Sequence, residues 1–302
     1  MMMRVATFAQ SDQMISNALR VQAVMANEQV QESSGLQSED FGGYGSGAGR
    51  VINLQVSVTR AQSYIDASQL ADNKVQVMYS AVGSVTDIIT QLRTQLSAAT
   101  TGSSTATASV INYAQQAMAQ MQGLLNTQYD GEYVFSGART DTAPADLSSF
   151  GTGTGSLTTS DTSYYKGDSE IASVRVSDSQ SISYGITADN PAFEQVMRLL
   201  KFVGNSSNLS SSEVSQALDL ASNALDATST VQAKLSTAAS QIETASRNQS
   251  DYQNFAKTLS TDLTSVDVAA VTAQLSTYQA QLTASYSAIS KIQSMNLASY
   301  LR

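Results

Sequence analysis

A mainly α fold is what this sequence predicts: an elongated helical bundle with paired N- and C-terminal coiled-coil helices and a small β-rich inserted domain. Three observations predict it. Apolar residues recur at steps of three and four at both ends of the chain and along residues 50 to 99. Only 14% of residues are charged, and the rest is rich in Ala, Ser, Thr and Gln, the make-up of polar helices that pack side by side. One internal stretch, 141 to 190, abandons helical spacing for Gly, Ser and Thr followed by alternation.

From Ser11 to Gln37, Met14, Ile15, Ala18, Leu19, Val21, Met25 and Val30 recur at helical spacing, and Gly35 supplies a stop. The glycine-rich "SEDFGGYGSGAG" that follows reads as a joint. Residues 50 to 99 carry Val51, Leu54, Val58, Ala61, Ile65, Val75, Met78, Val82, Val85, Ile88, Ile89, Leu92 and Leu96, a stripe far longer than an ordinary globular helix. "TTGSSTAT" breaks it, and Val110 to Tyr129 reads as a returning helix. "DGEYVFSGARTDTAPAD" then leaves the helix at Asp130-Gly131, runs as a strand through Tyr133, Val134 and Phe135, and turns at Ser136-Gly137. In the next segment Ile171, Val174, Val176, Ile182, Tyr184 and Ile186 interleave with polar residues, with hairpin turns expected at Lys166-Gly167-Asp168 and near Asp178. "DNPAF" restarts helix, with Asp189 or Asn190 as cap and Pro191 in the first turn. Glu194 to Phe202 and Ser212 to Phe255 supply a further arm. The last run is the cleanest: Val271, Leu275, Tyr278, Leu282, Tyr286, Ile289 and Ile292, the stripe that a helix needs to pack along a partner.

These readings divide the chain into an N-terminal assembly helix and joint (1–49), the first part of a helical rod (50–140), a β-rich outer insert (141–190), the second part of the rod (191–259) and a C-terminal assembly helix (260–302). The insert is expected to be removable between Asp141 and Asp189, because chain exit and re-entry should lie together. Met14, Leu19, Met25, Val271, Leu275, Tyr278, Leu282, Tyr286, Ile289 and Ile292 form the candidate assembly interface, with the two terminal stripes pairing.

A net charge of −9 offers no basic patch for nucleic acid or for an anionic membrane surface. With no His and no Cys, the imidazole base of a Ser triad, the Cys nucleophile and the usual zinc ligands are all missing; a carboxylate pair working as acid and base, or a Ser-Lys arrangement, stays formally open, but an enzyme, a metal site and a bound cofactor are not expected. No run of about 18 apolar residues reads as a membrane span. The spaced apolar residues of the first 22 positions do not read as a secretory signal, and translation starting at Met3 fits the triple Met. Gly43, Gly45 and Ala48 have dinucleotide-loop spacing but lack a preceding strand, so a flexible joint is favoured. Asp161, Asp168, Glu170 and Asp178 do not follow calcium-loop spacing and read as solvated turn residues. Met118 and Met121 read as bundle core.

"DGEYVFSGARTDTAPAD", "YYKGDSE", "YGITADNPAFEQVMRLL" and "LTASYSAISKIQSMNLASYLR", in that order, resemble bacterial flagellins, and most closely the FlgL type of hook-associated protein. The opening "MRVAT" from Met3 and the Tyr165-Lys166-Gly167-Asp168 unit resemble that branch in particular. The acidic-Pro segment common in the family stands here as "SEDFGGYGSGAGRVINLQ", without Pro. The resemblance implies a structural subunit exported unfolded through the flagellar type III apparatus, with an export chaperone, and assembled outside the cell. Its neighbours would be copies of itself, hook-associated protein and flagellin. It implies terminal helices paired as an inner tube and an outward-facing insert, most naturally at the hook-filament junction. Two alternatives stand: a flagellin of the filament itself, or a surface binding module whose insert presents Tyr164, Tyr165 and Tyr184.

Overall fold

The computed structural model describes residues 2–100, 103–151 and 153–298, with side chains described between residues 9 and 292. Helices α1 (Met2–Ser34), α2 (Ala48–Ala99) and α3 (Ser104–Leu125) come first. The short strands β1 (Gln128–Tyr129), β2 (Glu132–Tyr133), β3 (Ser173–Arg175) and β4 (Ser181–Ser183) follow. Helices α4 (Pro191–Asn205), α5 (Ser211–Thr264) and α6 (Val268–Ala298) close the chain. It divides into unit 1, residues 1–59 with 253–302, and unit 2, residues 60–252.

The core of unit 2 follows from a heptad pattern. Along α2, Ala71, Val75, Met78, Val82, Val85, Ile89, Leu92, Leu96 and Ala99 are buried at alternating steps of four and three. Along α5, Val214, Ala217, Ala221, Ala224, Thr228, Val231, Leu235, Ala238, Ile242 and Ala245 do the same. A 3.5-residue repeat keeps one stripe facing inward over many turns. The α5 stripe is mostly Ala at its start, so a neighbouring helix can approach closely there. Helix α4 packs on α3. Where they meet, Gly204 sits 3.4 Å, measured from an imagined Cβ, from Gln115, whose amide donates to the Gly204 carbonyl at 2.8 Å.

Helix α3 stops at Leu125, four residues before the expected end at Tyr129. Asp130-Gly131 is the two-residue turn of the β1–β2 hairpin, with positive φ of 52° and 79° at the two positions. A type I′ turn demands that pair of conformations, and Asp-Gly supplies it at low cost. The expected strand at 133–135 accordingly begins earlier, and Val134 and Phe135 are core residues beyond it.

Among the described residues of the segment 141–190 there is one hairpin, β3–β4, turning near Asp178; most of the remainder is irregular. It does not close on a core of its own. Phe150, Leu157, Tyr164, Val174, Val176, Ile182 and Ile186 belong to the same buried cluster as α2–α5. Chain exit and re-entry do meet, since the Ala188 amide donates to the Phe135 carbonyl at 2.9 Å. The expectation of a removable insert fails on the burial: cutting it out would strip the shared core. At Lys166-Gly167-Asp168 the chain makes a docking turn rather than a hairpin. The Asp168 amide donates to the Ser136 carbonyl, and the Asp168 carboxylate accepts from the Ala138 amide. Asn190 is the cap of α4, its side chain accepting from Ala192 N–H at 3.0 Å, and Pro191 occupies the first turn.

Buried charge pins the irregular loop onto α4. Lys201 ion-pairs with Asp161 at 2.8 Å, donates to the Phe150 carbonyl and lies 4.2 Å from the Phe150 ring centroid. Glu194, buried, accepts from the Asp161 amide and pairs with Arg198, which donates to the Leu157 carbonyl at 2.6 Å. Every charge of this quartet has a partner, which is what allows it to leave water. Burial alone would raise the Asp161 pKa, but hydrogen bonds from Lys201 and Ser163 outweigh it and hold the carboxyl below the usual range.

Candidate assembly surface

Unit 1 is built on the pairing of α1 with α6. The Glu32 carboxylate accepts from Thr272 at 2.9 Å, and the segments just past α1 and just before α6 are bridged at Leu36 and Ser265, so the helices run antiparallel. Their inward stripes keep heptad steps. On α6, Val271, Leu275 and Leu282 are buried and Tyr278, Ile289 and Ile292 are half-buried. On α1, Ala18 is buried, with Met14, Val21, Met25 and Glu28 half-buried.

The ten residues predicted for assembly therefore fall into two groups. Met14, Met25, Val271, Leu275, Tyr278, Leu282, Ile289 and Ile292 are at least half covered within the chain itself. Leu19 and Tyr286 lie one position off the stripe, at 60% and 53% exposure. The heptad places Ser285, not Tyr286, on the inward face of α6, which explains the difference. Ile15, Val30 and Val268 are also exposed on these helices.

More exposed apolar side chains stand on the other helices of unit 1, in segments that the sequence assigns to the helical rod rather than to the assembly interface. Ile52 and Val56, one helical turn apart on α2, and Phe255 on α5 are exposed, while their neighbours Val51 and Ala256 are buried. Gln253, one turn from Lys257, donates to the Val58 carbonyl at 3.3 Å and sets α5 beside α2 at this level. The signal was present as apolar positions off the heptad, such as Phe255 directly before the inward Ala256.

The other candidate residues are committed elsewhere. Tyr164 is buried, packs edge-on to Phe150 at 5.2 Å and donates to the Ala188 carbonyl at 2.8 Å; burial pushes its hydroxyl pKa up. Tyr165 donates to the Asp168 carbonyl at 2.5 Å, and Tyr184 is half-buried. This distribution does not present three tyrosines on one outer face. The four acids are not brought together: Asp161 goes to Lys201, Asp178 to Arg60 and Tyr64, and Asp168 to the amides of Ala138 and Glu170. Those two amides hold the Asp168 carboxyl below its ordinary range. Gly43 and Gly45 lie in a short 3-10 stretch, Phe41–Gly47, ahead of α2, with Tyr44 donating to the Ser38 carbonyl. Met121 is buried and Met118 packs against the same core. Among the described residues no helix is long and apolar enough to cross a membrane.

The model of the bacterial flagellin N-terminal helical region matches residues 5–140, and that of the bacterial flagellin C-terminal helical region matches residues 218–301. No curated protein matches the chain. Among solved structures, Bacillus cereus FlgL is similar at 12% identity and a TM-score of 0.46, over 72% of this chain and 98% of that one. A putative flagellar hook-associated protein from Vibrio parahaemolyticus is similar at 17% identity and a TM-score of 0.61, over 75% of this chain and 99% of that one, and shares its fold. With both terminal regions matched and the helical fold shared, the chain belongs to the bacterial flagellin family, whose members are structural and not enzymatic.

Proposed function

We propose that this chain is the junction subunit between flagellar hook and filament, assembling through its terminal segments, 1–49 and 260–302, with copies of itself and with neighbouring hook-associated protein and flagellin. The observation that carries the assembly reading is apolar surface left over after α1 and α6 have paired: Leu19 and Tyr286 remain more than half exposed. A large apolar side chain moved from water into a packed interface contributes about 1.5–3 kcal/mol, and a subunit lattice repeats that contribution at every copy. An open contact repeated by a fixed rotation generates a helical array. The assembly set on this reading is Leu19 and Tyr286 facing neighbours. Met14, Met25, Val271, Leu275, Tyr278, Leu282, Ile289 and Ile292 shape the pair that presents them.

The junction, rather than the filament, is favoured by the "MRVAT" opening, by the Tyr165-Lys166-Gly167-Asp168 unit and by the fold shared with the Vibrio hook-associated protein. Export through the type III apparatus with a chaperone, and an extracellular position, follow from the same reading. Immunogold labelling of intact cells tests it. One narrow band per flagellum, with a deletion strain that makes hooks without filaments, is expected. Label along the whole filament would assign the chain to the filament instead.

A further inference from the structure

Lys201 is the one buried lysine among the described residues. Its ammonium pairs with the Asp161 Oδ2 at 2.8 Å, donates to the Phe150 carbonyl and lies 4.2 Å from the Phe150 ring centroid. Tyr164 stands edge-on to that ring at 5.2 Å. The Lys201 stem runs under Gly155, at φ +76°, where an imagined Cβ would come within 3.3 Å of the Lys201 Cδ. Asp161 is fixed twice more: its amide donates to Glu194 at 2.9 Å, and its Oδ1 accepts from the Ser163 amide at 3.0 Å. Amine and carboxyl are therefore held in contact from both sides, under an aromatic ring.

These are the parts of an amide-forming site. When a proton passes from Nζ to Oδ2 along their hydrogen bond, ammonium and carboxylate become a neutral amine and acid, and burial penalises the charged pair rather than the neutral one. The carboxyl carbon lies one bond beyond Oδ2, so little movement brings nitrogen and carbon to the about 3–3.5 Å of a near-attack pair. Holding the two groups together raises their effective concentration to about 10⁵ M or more, which favours the amide over the free pair even in water.

We propose that Lys201 and Asp161 condense into an intramolecular isopeptide bond that ties the loop 150–164 covalently to α4. The amine lone pair attacks Cγ, and negative charge gathers on Oδ1, where the Ser163 amide already donates. The Cγ–Oδ2 bond then breaks, the leaving hydroxyl takes a second proton from the nitrogen, and one water departs on the Asp161 side, whose side chain is 33% exposed. The nitrogen keeps one of its three protons, nothing is oxidised or reduced, and no co-reactant enters. Until closure Asp161 stays an ionised carboxylate; after it, neither group titrates. On the proposed function the chain leaves the cell unfolded, so closure follows refolding and gives a chain without Cys a covalent lock.

Intact mass of the full-length chain, held folded at neutral pH and followed with time, tests this. It should fall by about 18 Da, one water, while chain kept in denaturant holds its full mass. Trypsin does not cleave at an acylated lysine, so digestion of the closed chain should give residues 140–166 joined to 199–234 in place of free 202–234. The Lys74–Glu132 pair, with the Glu132 side chain 48% exposed, is an internal control and should be cut normally after Lys74. Asp161→Asn should give the same branched peptide with loss of about 17 Da, because ammonia leaves in place of water. Full mass and free 202–234 after prolonged folded incubation would overturn the proposal. So would loss of water confined to 140–166 with Lys201 still cut, the signature of a succinimide. Because the measurement uses purified chain, its outcome does not depend on where the subunit assembles.

Discussion

The two units spend their apolar residues differently. Unit 2 collects the side chains of α2, α3, α4, the irregular loops and α5 into one buried cluster running from Ala71 to Ala245. Unit 1 buries Ala18, Val51, Ala256, Val271, Leu275 and Leu282 along its helix pairs. Although it is the smaller, it exposes Ile15, Leu19, Val30, Phe41, Ile52, Val56, Phe255, Val268 and Tyr286, against Leu70, Tyr79, Ile171 and Tyr252 in unit 2. A helix pair hides one stripe on each helix, and whatever apolar side chain lies off that stripe stays in water until another chain covers it. The contrast teaches that the buried core and most of the apolar side chains left in water lie in different parts of one chain; on the proposed function, stability falls to the first and assembly to the second.

The largest expected effect comes from breaking unit 2 at its loops. Joining Asp141 to Asp189 through a short linker removes Phe150, Leu157, Tyr164, Val174, Val176, Ile182 and Ile186 from the shared core. The product should fail to show a cooperative thermal transition. Next is Phe193→Ala, which empties a fully buried ring packed edge-on to Phe135 at 5.5 Å. It should cost about 3–5 kcal/mol in denaturant unfolding. In unit 1 the opposite is expected. Leu19→Ser with Tyr286→Ser should change monomer stability by less than about 0.5 kcal/mol per site while abolishing sedimentable polymer.

Acid should act on unit 2 through its loop contacts. Asp161, Asp168 and Asp178 are all held below the ordinary aspartate range, by Lys201, by the Ala138 amide and by Tyr64 respectively. Their stabilisation is fully present above the unfolded value, about pH 3.9. It is lost as pH falls through the lowered folded values. The melting temperature should stay flat down to about pH 4 and fall below it, and Asp161→Asn should make that fall shallower. Within unit 2 the smallest effect is Asn190→Ala, which removes the α4 cap and should cost about 1 kcal/mol.

Much of this was legible in the sequence because helices announce themselves by period. The stripe of α2, the Asn190-Pro191 start of α4 and the helices that carry the two terminal stripes all stand where spacing puts them, although Leu19 and Tyr286 fall one position off the covered face. Turn chemistry was harder. Asp130-Gly131 reads equally as a helix exit and as a hairpin turn until β1 and β2 are seen to pair. The loop 141–165 carries few apolar residues, so its share in the core could not be read from alternation; Phe150, Leu157 and Tyr164 act singly, each anchored by contacts distant in sequence. For the candidate assembly surface, the stripes were clear but not which side of them faces out. Leu19 and Tyr286 differ from their covered neighbours by one residue, and only the pairing of α1 with α6 separates the two groups.

Amide hydrogen exchange on the full-length chain, free and then polymerised, tests the division of labour most directly. In the free chain, amides of α2, α3 and α5 within unit 2 should exchange only through global unfolding, while those of α1 and α6 exchange through local opening at least a thousand-fold faster. On polymerisation, α1 and α6 should gain most of that protection and unit 2 should change little. Protection of α1 and α6 equal to that of unit 2 in the free chain, or no gain on polymerisation, would contradict the account.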